Sequence, residues 1–284
     1  MSRPRGKHNT RFRRFSEALF TTSLLRGWIT KWSYRFGLHG QLRVTTHEIR
    51  LPPDKRLPRP LVVAFASDFH AGPTTHPETF ATLARELTEL RPDVMLLGGD
   101  YVTGAATNVH TLSDVLSRWD PPLGKYGVLG NHDLWTDDEH IKGHLMSVGV
   151  NVLINSNRAL PAPFDSVSIC GIDDPWTGRA DVARTFAGAG AIRIFLTHSP
   201  DGLLLLGDEQ FDVGLAGHTH GGQVALPGGT AILSAGGPLA RTYARGRFDI
   251  EGKGPLIVSR GVGCSNLPIR INADPELVVC ILSS

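Results

Sequence analysis

Five short clusters in this 284-residue chain carry side chains that bind metal ions. They are Asp68-Phe69-His70, Gly99-Asp100, Gly130-Asn131-His132-Asp133, His198, and Gly217-His218-Thr219-His220. Carboxylate, imidazole and amide oxygen together suit divalent ions of intermediate hardness such as Mn, Fe or Zn. No cysteine accompanies them, which argues against a structural zinc knot. Any one of these histidines alone would be ordinary. What gives them weight is that each cluster follows an apolar run. His218 and His220 stand two residues apart after the run 211–216, so strand alternation predicts that they point to the same side. The glycines around them leave room for an ion or a substrate.

The elements that must position these clusters alternate along the chain. Apolar runs at 61–66, 94–97, 127–129, 192–196 and 211–216 read as strands, and 61–66 is continuous enough to be covered on both faces. Helices are predicted around 77–90, 109–119, 137–148 and 181–187, where breakers such as Pro92 and Pro121-Pro122 close the pattern. A strand at 41–51, a strand pair at 151–155 and 166–170, and the loop Gly171-Ile172-Asp173-Asp174-Pro175-Trp176 complete the reading. Such alternation implies parallel strands with crossover helices, followed here by a β-rich second half. Ligands bind at the carboxyl ends of strands in open α/β sheets. Side chains as far apart in sequence as Asp68 and His220 can therefore converge.

In this order the clusters resemble the blocks of the calcineurin-like metallophosphoesterase family, over roughly residues 60–222. Within that family the chain is similar to a bacterial branch of membrane-associated phosphodiesterases that includes UDP-2,3-diacylglucosamine pyrophosphatases. The segments carrying that similarity are Gly217–Gln223 (GHTHGGQ) and Ser259–Gly263 (SRGVG). The resemblance implies an αββα sandwich of two mixed sheets. It implies that Asp68, His70 and His220 hold one divalent ion, that Asn131, His198 and His218 hold another, and that Asp100 bridges them. Manganese is expected first, with iron or zinc as alternatives. Two such ions ~3.5–4 Å apart share a water, lower its pKa and clamp phosphoryl oxygens during in-line attack. His132 is expected to protonate the leaving group or stabilise the transition state, with Asp133 orienting it.

Composition narrows the rest. An apolar share of 41% and a charged share of 20% are those of a globular protein. Three cysteines without C-x-x-C spacing read as packing residues in a reducing compartment. The small net charge hides an asymmetry. Residues 1–35 contain nine Lys/Arg and one Glu, a net +8, which leaves −6 on the remainder. A basic amphipathic segment, 1–40, thus precedes a phosphoesterase domain, 41–284. In its helix Leu25, Trp28, Ile29, Trp32 and Phe36 share one face, while Arg26, Thr30, Lys31, Ser33 and Arg35 lie elsewhere. Residues 11–37 are therefore expected to lie on an anionic membrane surface without spanning it, peripheral on the cytoplasmic inner face. The alternatives are a helix docked on the body by its aromatic stripe, or a targeting segment. An acidic body without an aromatic-interleaved basic groove argues against nucleic acid as partner.

For substrate contacts, Arg241, Tyr243, Arg245 and Arg247 alternate on what reads as a late strand and would share a face able to grip phosphate oxygens. Trp135 and Trp176 are candidates for stacking on a base or sugar. His8, His39, His47, His76, His110, His140 and His144 show no partner pattern and read as surface residues. The expected reaction is hydrolysis of a phosphodiester or pyrophosphate bond by metal-activated water. The expected substrate is lipid-linked, such as UDP-2,3-diacylglucosamine; the alternative is a soluble phosphodiesterase or phosphatase for nucleotides or phosphoproteins.

Overall fold

Strand β2 (Leu61–Ala66) shows how the layers arise. Val63 and Phe65 point to one side and join a core filled by residues of both sheets, including Leu96, Ile169, Ile194, Leu215 and Val278. Ala64 and Ala66, one residue out of phase, face helices on the other side with Phe80, Leu83 and Ile141. Both faces are thus apolar, which is why the run is continuous. Each fully buried Phe or Leu here contributes ~1.5–3 kcal/mol, and Leu96→Ala would cost ~2–5 kcal/mol.

The computed structural model describes residues 27–232 and 235–284. The first sheet runs β1 (Arg43–Arg50), β12 (Glu276–Ser283), β2, β3 (Val94–Leu97), β4 (Lys125–Gly127), β5 (Val150–Val152). From β2 to β5 its neighbours are parallel; β12 meets β2 antiparallel. The second sheet runs β10 (Gly246–Ile250), β11 (Gly254–Val258), β9 (Val213–Ala216), β8 (Ile192–Leu196), β7 (Val167–Gly171), β6 (Ser156–Ala159). Its four central strands are parallel and its edges antiparallel. The architecture is an αββα sandwich of two mixed sheets.

Helix α1 (Trp28–Arg35) departs from simple docking by an aromatic stripe. It rests on the body through its polar side, where Thr30 and Ser33 are buried. The Thr30 hydroxyl donates to the Pro73 carbonyl, and Tyr34 stacks on His76 with ring centroids 4.0 Å apart. Trp28 is 65% exposed, and Trp32 and Phe36 are each 59% exposed. Leu25 and the basic residues before Gly27 lie outside the described residues. Among the described residues no helix is long and apolar enough to cross a membrane.

Helix α2 (Pro77–Leu90) has the bounds the sequence predicts, with Pro77 at its first turn and His76 accepting the Glu78 amide as cap. The predicted helix 109–119 is a 3-10 turn, Ala106–Leu112, that continues into α3 (Ser113–Arg118). The polar cluster Asn131-His132-Asp133 opens a helix that shows no apolar periodicity, α4 (Asn131–Thr136), and α5 (Asp138–Ser147) follows it. The predicted helix 181–187 is α6 (Val182–Phe186).

Candidate metal centre

The five clusters occupy the carboxyl ends of five parallel strands drawn from both sheets. Asp68 and His70 follow β2, Asp100 follows β3, and Asn131 opens α4 beyond β4. His198 follows β8, and His218 and His220 follow β9. Backbone bonds clamp the two sheets here: Val262 N donates to Ser67 O at 2.9 Å and Gly263 N to Asp68 O at 2.7 Å. Two glycines permit the approach. A Cβ on Gly217 would collide with Asp68 and Ser67, and one on Gly130 with the Asp100 carboxylate. Asp68, His70, Asp100, His218 and His220 all have positive φ, between 44 and 71°. The two late histidines therefore sit in a turn, not on an extended strand.

One half of the centre gathers ligand-type atoms around His198. His198 Nδ1 donates to the Gly98 carbonyl at 2.8 Å, and against burial the Asp100, Asp68 and Asp174 carboxylates hold this imidazole well above its usual range, so that without a cation Nε2 carries a proton as well. His218 Nε2 lies 2.7 Å from the Gly236 carbonyl, which leaves its Nδ1 a lone pair. His218 Nδ1 faces His198 Nε2 at 3.2 Å. Asn131 Oδ1 stands 3.0 Å from His198 Nε2, and Asp100 Oδ2 stands 3.3 Å from it. An imidazole nitrogen, an amide oxygen and a carboxylate oxygen thus converge on His198 Nε2, and the extra proton held there is the positive charge that a bound cation would replace. The donor set therefore fits a divalent metal, with carbonyls behind the imidazoles as is usual for ligating histidine.

The other half gathers Asp68, His70 and His220. His70 Nε2 lies 3.0 Å from His220 Nε2 and 3.6 Å from Asp100 Oδ2, and Asp68 Oδ1 lies 3.5 Å from His220 Nε2. Thr103 Oγ1 holds His70 Nδ1 at 2.8 Å. Ser67 Oγ donates to Asp68 Oδ2 at 2.6 Å, and His218 N donates to the same carboxylate. Ligand-type atoms of Asp68, His70 and His220, and of Asp100, His198 and His218, each lie within 4.8 Å of one another. The structure thus brings all seven proposed ligands together, with Asp100 between the halves. His132, held apart from the ligand set in the sequence reading, also comes within 4.8 Å of His70 and Asp100.

Charge follows from burial and neighbours. Burial, then His132 beside His70, and then His70 beside His220, hold both imidazoles well below their usual range, neutral and able to ligate. At Asp100 burial works against ionisation, but His198, His132 and His70 outweigh it and keep the carboxylate well below its usual range. At Asp133 burial and the nearby Asp100 push the carboxyl up to about 8.

Asp133 does not play the part expected for it. Its oxygens accept from the backbone amides of Gly130, Asp100 and Tyr101 at 2.8–2.9 Å, so it ties the ends of β3 and β4 together. Adjacent residues on a helix do not face each other. What places His132 is its own backbone, whose N–H donates to Asp100 Oδ1 at 2.8 Å. Its ring packs edge-on to His70 at 4.7 Å and lies 4.9 Å from Trp135.

A cavity of about 250 Å3 opens over the centre. Asp100, Asn131, His132, His218 and His220 line its floor side, and Trp135 and Trp176 wall it with ring centroids 5.4 Å apart. Arg241, Tyr243 and Arg245 are not among the lining residues. Strand β10 begins only at Gly246, so these three lie in a turn and share no strand face. Arg245 donates to the Asn272 carbonyl at 2.6 Å, Tyr243 packs on Phe248, and Arg247 pairs with Asp249.

Other parts of the site were missed in the sequence. Thr103 and the Gly98 and Gly236 carbonyls hold the imidazoles, yet no motif announces a carbonyl. Arg270 is buried behind His220, where its guanidinium bonds the Gly263 and Ala273 carbonyls and lies 3.3 Å from His220 Nδ1. Three histidines read as isolated, His110, His140 and His144, form a cluster of their own, with ring centroids 4.3 Å apart for His110 and His144. The i, i+4 spacing of His140 and His144 was the available signal.

Comparison with known proteins agrees with this geometry. Residues 61–222 match the family described as calcineurin-like phosphoesterase. The chain is 31% identical to the phosphodiesterase YaeI of Escherichia coli (strain K12) over 228 residues, 78% of this chain and 81% of that one. It is 30% identical over 224 residues to the metallophosphoesterase YkuE of Bacillus subtilis (strain 168), covering 77% of each chain. It is also 29% identical over 257 residues to a zebrafish (Danio rerio) transmembrane protein with a metallophosphoesterase domain, covering 83% of this chain and 56% of that one. With its strand-end ligands assembled in the family's order, the chain belongs to the calcineurin-like phosphoesterases and is a metal-dependent phosphoric ester hydrolase.

Proposed function

We propose that this hydrolase cleaves a phosphodiester or pyrophosphate bond in a lipid-linked substrate such as UDP-2,3-diacylglucosamine, at a membrane surface. Divalent ions held at the centre, manganese in our reading, supply Lewis acidity for water and for the phosphoryl oxygens. Asp68, His70 and His220 would hold one, Asn131, His198 and His218 the other, with Asp100 shared. The chain's own residues do the rest. Asp133 locks the β3 and β4 ends so that Asp100 and Asn131 keep their places. His132, half-buried at the cavity wall, stands where it can give a proton to a departing oxygen. Trp135 and Trp176 exclude water from one side and offer flat faces to a base or sugar.

The observation that carries the lipid reading is α1. A helix that only completed the fold would bury its tryptophans, yet Trp28 and Trp32 stand 65% and 59% exposed while Thr30 and Ser33 face the body. Exposed tryptophans beside lysine and arginine suit a peripheral position on an anionic bilayer. The name of the zebrafish relative, a transmembrane protein, supports the same setting. The test is turnover by the manganese-loaded enzyme on vesicle-borne UDP-2,3-diacylglucosamine and on bis-p-nitrophenyl phosphate, with and without Trp28→Ala and Trp32→Ala. The double substitution should lower lipid turnover by ~10-fold or more and leave the small diester unchanged. Turnover of the small diester with none of the lipid substrate would return the enzyme to the soluble class.

A further inference from the structure

Eight of the thirteen large apolar side chains exposed among the described residues belong to three segments that backbone bonds join side by side. The first is α1 and the turn after it, ending in Leu38, which is 45% exposed. The Leu38 carbonyl accepts the Arg270 amide, which brings up the second segment. There Ile271 is 44% exposed, while the neighbouring Arg270 is turned fully inward. Ile271 N donates to Gln223 O and Ala225 N to Ile271 O, both at 2.9 Å, which adds the third. This is a hairpin at 224–232, closed by the Ala225–Ala231 bridge, on which Leu226 is 51% and Ile232 is 56% exposed.

The same bonds place this band at the mouth of the metal cavity. Gln223 lines the cavity and leads into the hairpin, and its amide nitrogen holds the Ser265 and Leu267 carbonyls at 2.9 and 2.8 Å. Leu267 lines the same cavity and leads to Ile271. Large apolar side chains exposed together on neighbouring segments mark a site of contact. Its charge setting selects the partner. Lys31 and Arg35 are exposed on α1, and residues 1–26 carry seven Lys/Arg against one Glu. A cation-flanked rim with two tryptophans fits the headgroup region of an anionic phospholipid bilayer.

We propose that the 224–232 hairpin and Ile271 form, together with α1, one bilayer-contacting rim that sets the mouth of the metal cavity against the membrane. The proposal rests on the lipid reading above and adds a second contact to it. A cavity of about 250 Å3 is below the ordinary range for enclosing a drug-sized ligand. A lipid's acyl chains stay in the bilayer, and only its headgroup phosphates reach Asp100 and the histidines.

The test uses the full chain with Leu226→Ser, Ile232→Ser and Ile271→Ser together, all exposed and none lining the cavity. Sedimentation with phosphatidylcholine vesicles, with and without phosphatidylglycerol, measures partition. The triple variant should lose ~10-fold or more of its partition to anionic vesicles, while hydrolysis of bis-p-nitrophenyl phosphate stays as in the parent. A second measurement does not depend on that variant folding. Leu226→Cys introduces an exposed thiol into a chain whose three cysteines are buried, and an environment-sensitive fluorophore there should shift to the blue on vesicle binding. Partition unchanged in the triple variant, or no shift at position 226, overturns the rim even if Trp28→Ala with Trp32→Ala abolishes binding, in which case the lipid reading stands. If neither set of substitutions alters partition, both fall. A lipid-free dimer that the triple substitution dissociates would assign the surface to a second copy instead.

Discussion

At the metal centre Asp68, His70 and His198 are fully buried, whereas on α1 Trp28 and Trp32 stand mostly in solvent. The two regions break the same solvation rule in opposite directions. Buried polar groups are costly unless paired, and the centre crowds carboxylates and imidazoles against one another with their ligand-type atoms within 4.8 Å. Exposed indoles forgo burial that a helix of this length could have had by turning over. Instead α1 is held with its polar side inward by Thr30, Tyr34 and the turn at His39. Each region is incomplete as a piece of folding and becomes reasonable once something from outside is added, a cation in one case and an apolar surface in the other.

The strongest way to break the comparison is to remove the charge between the two metal positions. Asp100→Asn should lose metal and activity together, by ~10²–10³-fold or more in turnover on the scale of a lost preorganised charge. Metal content by elemental analysis and turnover measured on the same sample check it. Full occupancy with normal turnover would show that the buried carboxylate needs no cation. A narrower probe is His132→Ala, which should retain metal and slow turnover by ~10²-fold. The loss should shrink for esters with a good leaving group such as p-nitrophenol. An equal loss for all leaving groups would move His132 from proton donor to the ligand neighbourhood that its distances to His70 and Asp100 also permit.

The smallest effect concerns the mount of α1. His39 is buried, with Nε2 on the Thr74 carbonyl at 3.2 Å and Nδ1 without a partner. Burial, then His76 and Arg270, push it down to about 4 from 6.5, and the Tyr34 ring lies 5.7 Å away. An imidazole with a lowered folded pKa binds fewer protons folded than unfolded between those values. Its contribution to stability is thus present above 6.5 and is lost as pH falls toward 4. Amide exchange of residues 28–38 should rise over that interval while β2 and β3 remain protected. His39→Gln should flatten the dependence, and an unchanged profile in that variant would place the sensitivity elsewhere.

The convergence of the five clusters was legible because an apolar run followed by Asp, His or Asn is a local signal, and the strand order that unites them follows from chain topology; their roles as metal ligands come from the family resemblance. What surrounds them was not. The resemblance implies that Asp133 orients His132, but on α4 its carboxylate faces the strand ends and serves three backbone amides. Arg241, Tyr243 and Arg245 were assigned by extending period-two alternation past Gly246, where the strand actually begins. For α1 the periodicity identified the apolar face correctly. Which face docks depends on Pro73 and His76, some forty residues away, and no helical wheel contains that information.

The centre persists against the strain of its own backbone. Five of its seven ligand positions, Asp68, His70, Asp100, His218 and His220, hold left-handed backbone that residues with a Cβ avoid, each at ~1 kcal/mol or more. Glycine would relax every one of them. Backbone strain alone therefore favours replacing these residues, against the hydrogen bonds that Asp68 and Asp100 accept from the His218 and His132 amides. A lineage that no longer needed hydrolysis would erode first at the catalytic floor, while the sheets beneath it persisted.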